Sequence, residues 1–173
     1  MKIKKVIVGS LEENCYILIK NNKALVIDPG DEIDKINSVI GENSVVGVLI
    51  THNHFDHVGA LSSFDKNIVH SFLNLEEKEY KIDDFTFDVI FTPGHSSDSV
   101  SYYFKDINSI FCGDFIFYKN IGRCDLPTGD FNTMKESINK IKKYPENTTI
   151  YPGHGVSTTL IHEIENNIYF REV

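Results

Sequence analysis

Short apolar and β-branched runs, separated by polar or glycine-containing turns, set out the elements of this chain. Residues 2–8, 14–20 and 23–28 read as three strands joined by short polar turns, including Asn21-Asn22. Asp28-Pro29-Gly30-Asp31 breaks that pattern. Ile33, Ile36, Val39 and Ile40 then recur at helical spacing, with Gly41 as a C-terminal stop. Val45-Val46-Gly47-Val48-Leu49-Ile50 predicts a buried strand, His57-Val58-Gly59-Ala60-Leu61 the start of a helix, and Ile68-Val69-His70 a further strand. Residues 71–84 are the least legible, since Leu73 to Tyr80 fits either a helical turn or a surface loop.

Aromatic and β-branched alternation predicts strands over 84–91, 99–105 and 108–113, and Phe115 to Gly129 is rich in turn residues. Thr133 with Glu136 resembles a capping box. It would open a helix with Met134, Ile138 and Ile141 on its apolar face, Lys140, Lys142 and Lys143 at its negative end, and Pro145 as its stop. Thr148 to Tyr151 reads as the last strand and 159–168 as a closing helix. No repeat, linker or low-complexity segment intervenes, so the expectation is one domain over residues 1–173, with strands first and then mixed strands and helices.

Composition narrows the class without naming it. A chain of 173 residues can bury a real core, and 41% hydrophobic with 24% charged residues is ordinary for a soluble globular protein. A formal net charge of -8 argues against a general nucleic-acid or anionic-membrane binder, leaving a small-molecule substrate as the expected partner. The start, Met1 to Gly9, has only a three-residue apolar stretch and is no signal peptide, and no segment approaches a membrane span. Cys15, Cys112 and Cys124 form no Cys-x-x-Cys pair and no disulfide count, which fits a reduced, cytoplasmic protein. Cys112 precedes Asp114 by two and by alternation would share its face; a packed strand cysteine is the simpler reading.

The candidate chemistry is concentrated in Thr51-His52-Asn53-His54-Phe55-Asp56-His57, directly after an apolar strand. A His-x-His-x-Asp-His run should arise by chance on the order of once in a thousand such sequences. Residues two apart on an extended chain point the same way, so His52 and His54 can converge on one metal ion. A turn into the following helix would let Asp56 and His57 face a second ion. Partners must come from elsewhere, and three follow the same pattern of strand, small turn, donor. His95 comes after Thr92-Pro93-Gly94, Asp114 after Gly113, and His154 after Pro152-Gly153. Glycine lets the backbone pass close to a site, and α/β proteins bind ligands at the carboxyl ends of strands. Five histidines and two aspartates would then meet on one edge. His70 and His162 lack that context and read as ordinary histidines.

On these residues the sequence resembles the metallo-β-lactamase superfamily, and within it the glyoxalase II-like hydrolases. The resemblance runs through Asn14-Cys15-Tyr16, Ile27-Asp28-Pro29-Gly30, Thr51 to Gly59, Thr92 to His95, Gly113-Asp114, Gly122-Arg123, Tyr151 to Gly155 and Ser157-Thr158-Thr159. It implies an α/β fold, the four-layer αβ/βα sandwich, with two sheets face to face and helices outside. It also implies a first metal on His52, His54 and His95, a second on Asp56, His57 and His154, and Asp114 bridging both. An all-nitrogen-and-oxygen donor set suits zinc and also admits iron or manganese. The implied reaction is hydrolysis of a small acyl thioester, S-lactoylglutathione-like, by a hydroxide bridging two divalent ions.

Asp56 and Asp114 are then ligands first, with any proton shuttling secondary. Arg123 matches a basic position that contacts the thiol carrier in glyoxalase II-like enzymes, or it pairs with Asp125; both readings stand. Tyr118 and Lys119, in the same loop, either line the pocket or are ordinary surface residues. True β-lactamases usually replace the bridging aspartate, so Asp114 speaks against antibiotic hydrolysis. Glyoxalase II adds a C-terminal helical domain that helps hold glutathione; here the sequence ends soon after the expected closing helix, so glutathione recognition of that kind is not expected. The closest rival is a mono-iron persulfide dioxygenase of the same fold, using His52, His95 and Asp114. A metal-binding scaffold without turnover is a third reading.

Overall fold

Alternation along the first three strands sends side chains to two faces, and both faces are covered. In the computed structural model, which describes residues 1–171 and 173, β1 (Lys2–Val8), β2 (Glu13–Lys20) and β3 (Lys23–Ile27) form an antiparallel meander. Helix α1 (Ile33–Ile40) then returns the chain so that β4 (Ser44–Leu49) pairs parallel to β3. Helix α2 (Phe55–Val58) and two 3-10 turns lead to β5 (Val69–His70), parallel to β4 and last in the sheet order β1-β2-β3-β4-β5.

The second half builds a six-stranded sheet. Its strands are β6 (Glu79–Ile82), β7 (Phe85–Phe91), β8 (Val100–Phe104) and β9 (Ser109–Gly113), joined after the hairpin β10 (Ile116–Phe117) and β11 (Asn120–Ile121) and helix α3 (Phe131–Ile141) by β12 (Thr149–Pro152) and β13 (Thr158–Thr159). Helices α4 (Leu160–Asn166) and α5 (Ile168–Arg171) close the described chain. The order is β13-β12-β9-β8-β7-β6.

Three apolar cores separate four layers. Tyr16, Leu18, Leu25, Ile27 and Leu49 of the first sheet meet Phe85, Phe87, Tyr102, Phe104 and Phe111 of the second. Their sequence neighbours Ile17, Ala24, Val26 and Val48 face α1 through Ile36 and Ile40. On the far side Ile90, Tyr103, Ile110 and Ile150 pack against Met134, Ile138 and Ile141 of α3, Leu160 of α4 and Phe170 of α5. This is the four-layer α/β sandwich expected from the sequence. Each fully buried aromatic contributes about 1.5–3 kcal/mol of transfer free energy. Among the described residues no helix is long and apolar enough to cross a membrane.

Several boundaries differ from the sequence reading. Residues 71–84 contain a strand, β6, whose Tyr80 and Ile82 pack on the core between the sheets. The turn-rich stretch after Phe115 contains the hairpin β10–β11. Helix α3 is capped by Asp130, whose carboxylate accepts from Thr133 N and Thr133 Oγ1, each at 2.7 Å. Thr133 is therefore the third helical residue, and no capping box forms with Glu136; a charged Asp three residues ahead competed better for the same N–H. The closing helix breaks at Asn167, a fully buried side chain that donates to Asn120 O and Glu163 Oε2.

The strand directions place the site. Strand β7 is antiparallel to β8 and β8 to β9, while β12 is parallel to β9, so β7, β9 and β12 all end on one edge. Val100 N donates to Thr51 O at 2.7 Å, tying the loop after β4 to that same edge.

Candidate metal centre

Loops at four strand ends bring seven side chains together. The loop after β4 is extended through His54 and coils into α2 at Phe55, two residues earlier than the sequence suggested. That earlier turn puts Asp56 and His57 on helical backbone, which is how both side chains face inward. His54 Nδ1 lies 3.0 Å from His52 Nε2 and 3.0 Å from His95 Nε2. On the other side Asp56 Oδ2 lies 3.2 Å from His154 Nε2 and 3.8 Å from His57 Nε2. Asp114 stands between the groups. Its Oδ2 is 3.6 Å from His95 Nε2, and its Oδ1 is 3.3 Å from His57 Nε2 and 3.6 Å from His154 Nε2.

The outer nitrogen of each of four histidines has a hydrogen-bond partner. His57 Nδ1 donates to Asp28 Oδ2 at 2.9 Å, His95 Nδ1 to Arg123 O at 2.8 Å, and His154 Nδ1 to Leu11 O at 3.0 Å. Thr51 Oγ1 gives its proton to Asp28 Oδ2 at 2.5 Å, so His52 Nδ1 donates to that hydroxyl oxygen at 3.1 Å. With Nδ1 carrying the proton, each ring in its neutral form presents an Nε2 lone pair towards the centre. His54 Nδ1 can give one proton to one of its two neighbours, so the three nitrogens cannot all be satisfied by hydrogen bonds. His57 Nε2 and Asp114 Oδ1, 3.3 Å apart, are buried without a well-aligned hydrogen-bond partner among the described residues.

Orphaned donors of this kind fit divalent cations. Among the described residues, four triads of His, Asp or Glu have ligand atoms mutually within 4.8 Å, including His52-His54-His95 and Asp56-His57-His154. A tetrahedral ion about 2.0–2.1 Å from each nitrogen would set them roughly 3.3 Å apart, close to the 3.0 Å found.

Behind the centre lies a buried acidic support. Asp28 is 2% exposed and its backbone is left-handed at φ 50°, an uncommon state for a non-glycine residue. There its carboxylate gathers Thr51 N at 2.7 Å, Thr51 Oγ1 and His57 Nδ1. Glu13 lies 3.8 Å from His57 Nδ1, and burial pushes its carboxyl up to about 10 despite the opposing pull of His57. Burial disfavours charge on His57 as well, but Asp28 and Asp114 outweigh it and raise its pKa well above the usual imidazole value. Burial also works against a charged Asp114, yet the surrounding histidines hold its carboxyl far below the normal range. His52, buried and facing other imidazoles, is pushed down.

Backbone shape makes room for this. Gly113 has φ 54°, and a Cβ there would sit 2.2 Å from Thr51 Oγ1, so no other residue fits. The pattern of the metallo-β-lactamase superfamily matches residues 8–73 and 65–154, most of the chain, and so covers all seven donors. The chain belongs to the metallo-β-lactamase superfamily. It is 34% identical to a probable metallo-hydrolase, YqgX, of Bacillus subtilis (strain 168), over 96% of both chains. It is 28% identical to the hydroxyacylglutathione hydrolase GloC of Haemophilus influenzae (strain ATCC 51907 / DSM 11121 / KW20 / Rd), over 96% of this chain and 97% of that one.

Among solved structures the BLEG-1 B3 metallo-β-lactamase superposes with a TM-score of 0.92 at 30% identity, covering 98% and 99% of the two chains. TTHA1623 in a di-iron-bound form superposes at 0.86 with 29% identity, covering 96% and 99%. Metal-dependent hydrolysis is the coarse chemistry this membership brings.

Within this superfamily member the other sequence candidates separate clearly. Arg123 is exposed and its guanidinium is held by Asp125 through two 2.7 Å hydrogen bonds, the salt-bridge alternative; only its carbonyl reaches the centre, through His95. Tyr118 stacks on His162 at 4.8 Å, and Lys119 N donates to the buried Glu163. Phe117 of the same hairpin lies 6.3 Å from the His154 ring. Cys112 is packed in the helix-side core, and His70 lies half-buried in β5. The sequence reading gave no role to Glu13, to Asp98, or to the carboxylate of Asp28. An Asp-Pro step immediately after a strand was the available signal for Asp28. Asp98 accepts from Asn53 N at 3.2 Å and from Ser96 Oγ at 2.7 Å, clasping the His54 and His95 loops together, and nothing in its sequence context marks it.

Proposed function

We propose that this chain is a binuclear metal-dependent hydrolase of small acyl thioesters. The observation that carries this is Asp114: one carboxylate oxygen faces the His95 side, the other the His57 and His154 side. His52, His54 and His95 would hold one ion, Asp56, His57 and His154 the other, and Asp114 both. Two divalent ions so held would supply an acidified water and a Lewis acid for an acyl oxygen. Zinc suits the donors, and iron and manganese share the preference for nitrogen and oxygen.

The chain's own groups set the conditions for that chemistry. Asp28 keeps the His57 proton on Nδ1, and Thr51 does the same for His52, so neither ring can rotate or change tautomer. Leu11 and Arg123 carbonyls do this for His154 and His95. The donors are preorganised in the fold and need no rearrangement at the moment of reaction. A thiolate leaves readily, so a strong general acid is not demanded.

The test is elemental analysis of purified protein followed by a panel of acyl thioesters, a β-lactam and a persulfide. Two metal equivalents with thioester turnover, both lost in Asp114→Ala, are expected. One iron with oxygen uptake on the persulfide would establish the dioxygenase instead. Full metallation without turnover of any thioester would leave a metal-binding scaffold. The B3 β-lactamase neighbour is the reason for the lactam arm. The complete second triad, Asp56-His57-His154, favours the binuclear hydrolase over the mono-iron enzyme.

A further inference from the structure

A trough opens beside the candidate centre. Its deep end is a cavity of about 250 Å³ bounded by His52 and Asn53 of the histidine loop and by Leu61, Val69, Phe72 and Leu73. It continues, more shallowly, past Leu61 and Leu73 to Phe64 and Lys66. Arg123 lines a separate hollow with Cys124 and Phe131. The trough surface is mostly apolar, with Ser71, Ser62 and Lys66 among its polar lining, and its deep end is bounded by His52, a member of the first donor triad.

Its outer wall is rigid. Ser71 N donates to Asn74 Oδ1 at 2.8 Å, and Ser71 O accepts from Asn74 N and Leu75 N at 3.1 and 3.0 Å. Asn74 Nδ2 donates to Val69 O, Leu75 is buried in the core between the sheets, and Phe72 packs against Phe91 at 4.9 Å. On this fixed turn Leu73 is 92% exposed. A lone exposed leucine is unremarked on most surfaces. Here it is held over an apolar cavity that ends at a donor histidine, where burying it would gain free energy. The carboxylate at the inner end, Asp98, is already engaged by Asn53 N and Ser96 Oγ.

The geometry points to this trough as an acyl-chain subsite, so that the substrates used best are thioesters of several-carbon hydrocarbon acids rather than of short hydroxy acids. This rests on the thioesterase reading above. Leu73 is then a specificity residue: it covers the chain, while the donors act on the thioester at the chain's head. A polar lactoyl group would leave the trough unfilled.

The experiment is kcat/KM of the metal-loaded protein on acetyl, butanoyl, hexanoyl and octanoyl thioesters of N-acetylcysteamine, a small neutral thiol. Alongside it, Kd is measured for the non-hydrolysable S-octyl thioether. While the trough fills, each added methylene should raise kcat/KM about fourfold. Leu73→Asp should lower the octanoyl-to-acetyl ratio about tenfold and weaken the thioether about tenfold, and Leu73→Met should restore both. Hydrolysis with no dependence on chain length, or a Leu73→Asp variant with an unchanged ratio and Kd, overturns the subsite. If no thioester is hydrolysed the thioesterase reading fails, and Leu73-dependent thioether binding still decides the trough.

Discussion

Gly153 is the position where one methyl group tests the centre most directly. A Cβ added there would lie 2.3 Å from Asp114 Oδ1 and 2.6 Å from His57 Cε1, in the space that the second donor group surrounds. Real carbon contacts essentially never fall below 3.0 Å, so in Gly153→Ala these groups must separate by about 0.7 Å, more than the tolerance of a catalytic constellation. The backbone cannot simply retreat. Gly153 N donates to Gly113 O at 2.8 Å, and Gly153 O accepts from Asn14 N at 2.7 Å. The displacement therefore falls on Asp114 and His57. A misplacement near 1 Å costs on the order of 10²-fold in rate, while overpacking costs about 1–3 kcal/mol of stability. Metal content by mass spectrometry, kcat/KM on the best thioester and a thermal melt should show fewer than two bound equivalents, roughly 10²-fold lower activity and a folded protein. Full occupancy with undiminished turnover would refute the placement of a cation between Asp114, His57 and His154.

Two further substitutions address the acidic support. Asp28→Asn puts an amide where Thr51 N, Thr51 Oγ1 and His57 Nδ1 all donate; metal affinity should fall about 10–100-fold in chelator competition, and unchanged affinity would show that Asp28 does not orient His57. Glu13→Gln tests the sign of a pH effect in metal-free protein. The Glu13 carboxyl is raised by burial from 4.5 to about 10, so between those values the unfolded chain releases a proton that the folded chain keeps, and stability falls as pH rises. Glutamine removes that penalty, so the gain in Tm should be negligible near pH 4.5 and grow towards pH 8; a gain independent of pH would contradict it.

The layers were legible because alternation is a local property. Ile17 and Val26 face one way and Tyr16 and Ile27 the other simply because strands have a period of two. The candidate donors were legible for a related reason: four sit in one run directly after β4, and His95, Asp114 and His154 each follow a strand end and a glycine. What escaped depended on partners far away in sequence. Strand β6 is held by pairing Tyr80 with Phe87 and Ile82 with Phe85 rather than by its own composition. The α3 cap went to Asp130 because its carboxylate, three residues ahead, takes both the Thr133 N–H and the Thr133 hydroxyl proton. Glu13 shows no periodic or motif signal; only the folded chain brings it within 3.8 Å of His57. Arg123 was ambiguous in sequence because Asp125 and a substrate equally suit an exposed guanidinium, and the fold sets Asp125 against it while leaving both side chains exposed.

The seven donors come from both halves of the sandwich, His52 to His57 from beyond β4 and His95, Asp114 and His154 from beyond β7, β9 and β12. A cation held among them would be a clasp that only the assembled protein can close. Such a guest at a free concentration of 100 times its Kd adds about 2.7 kcal/mol to the folded state, spread across the seam between the sheets. Heat tolerance in this protein should consequently follow the supply of transition metal, and starvation for the ion would weaken the whole molecule along with its chemistry.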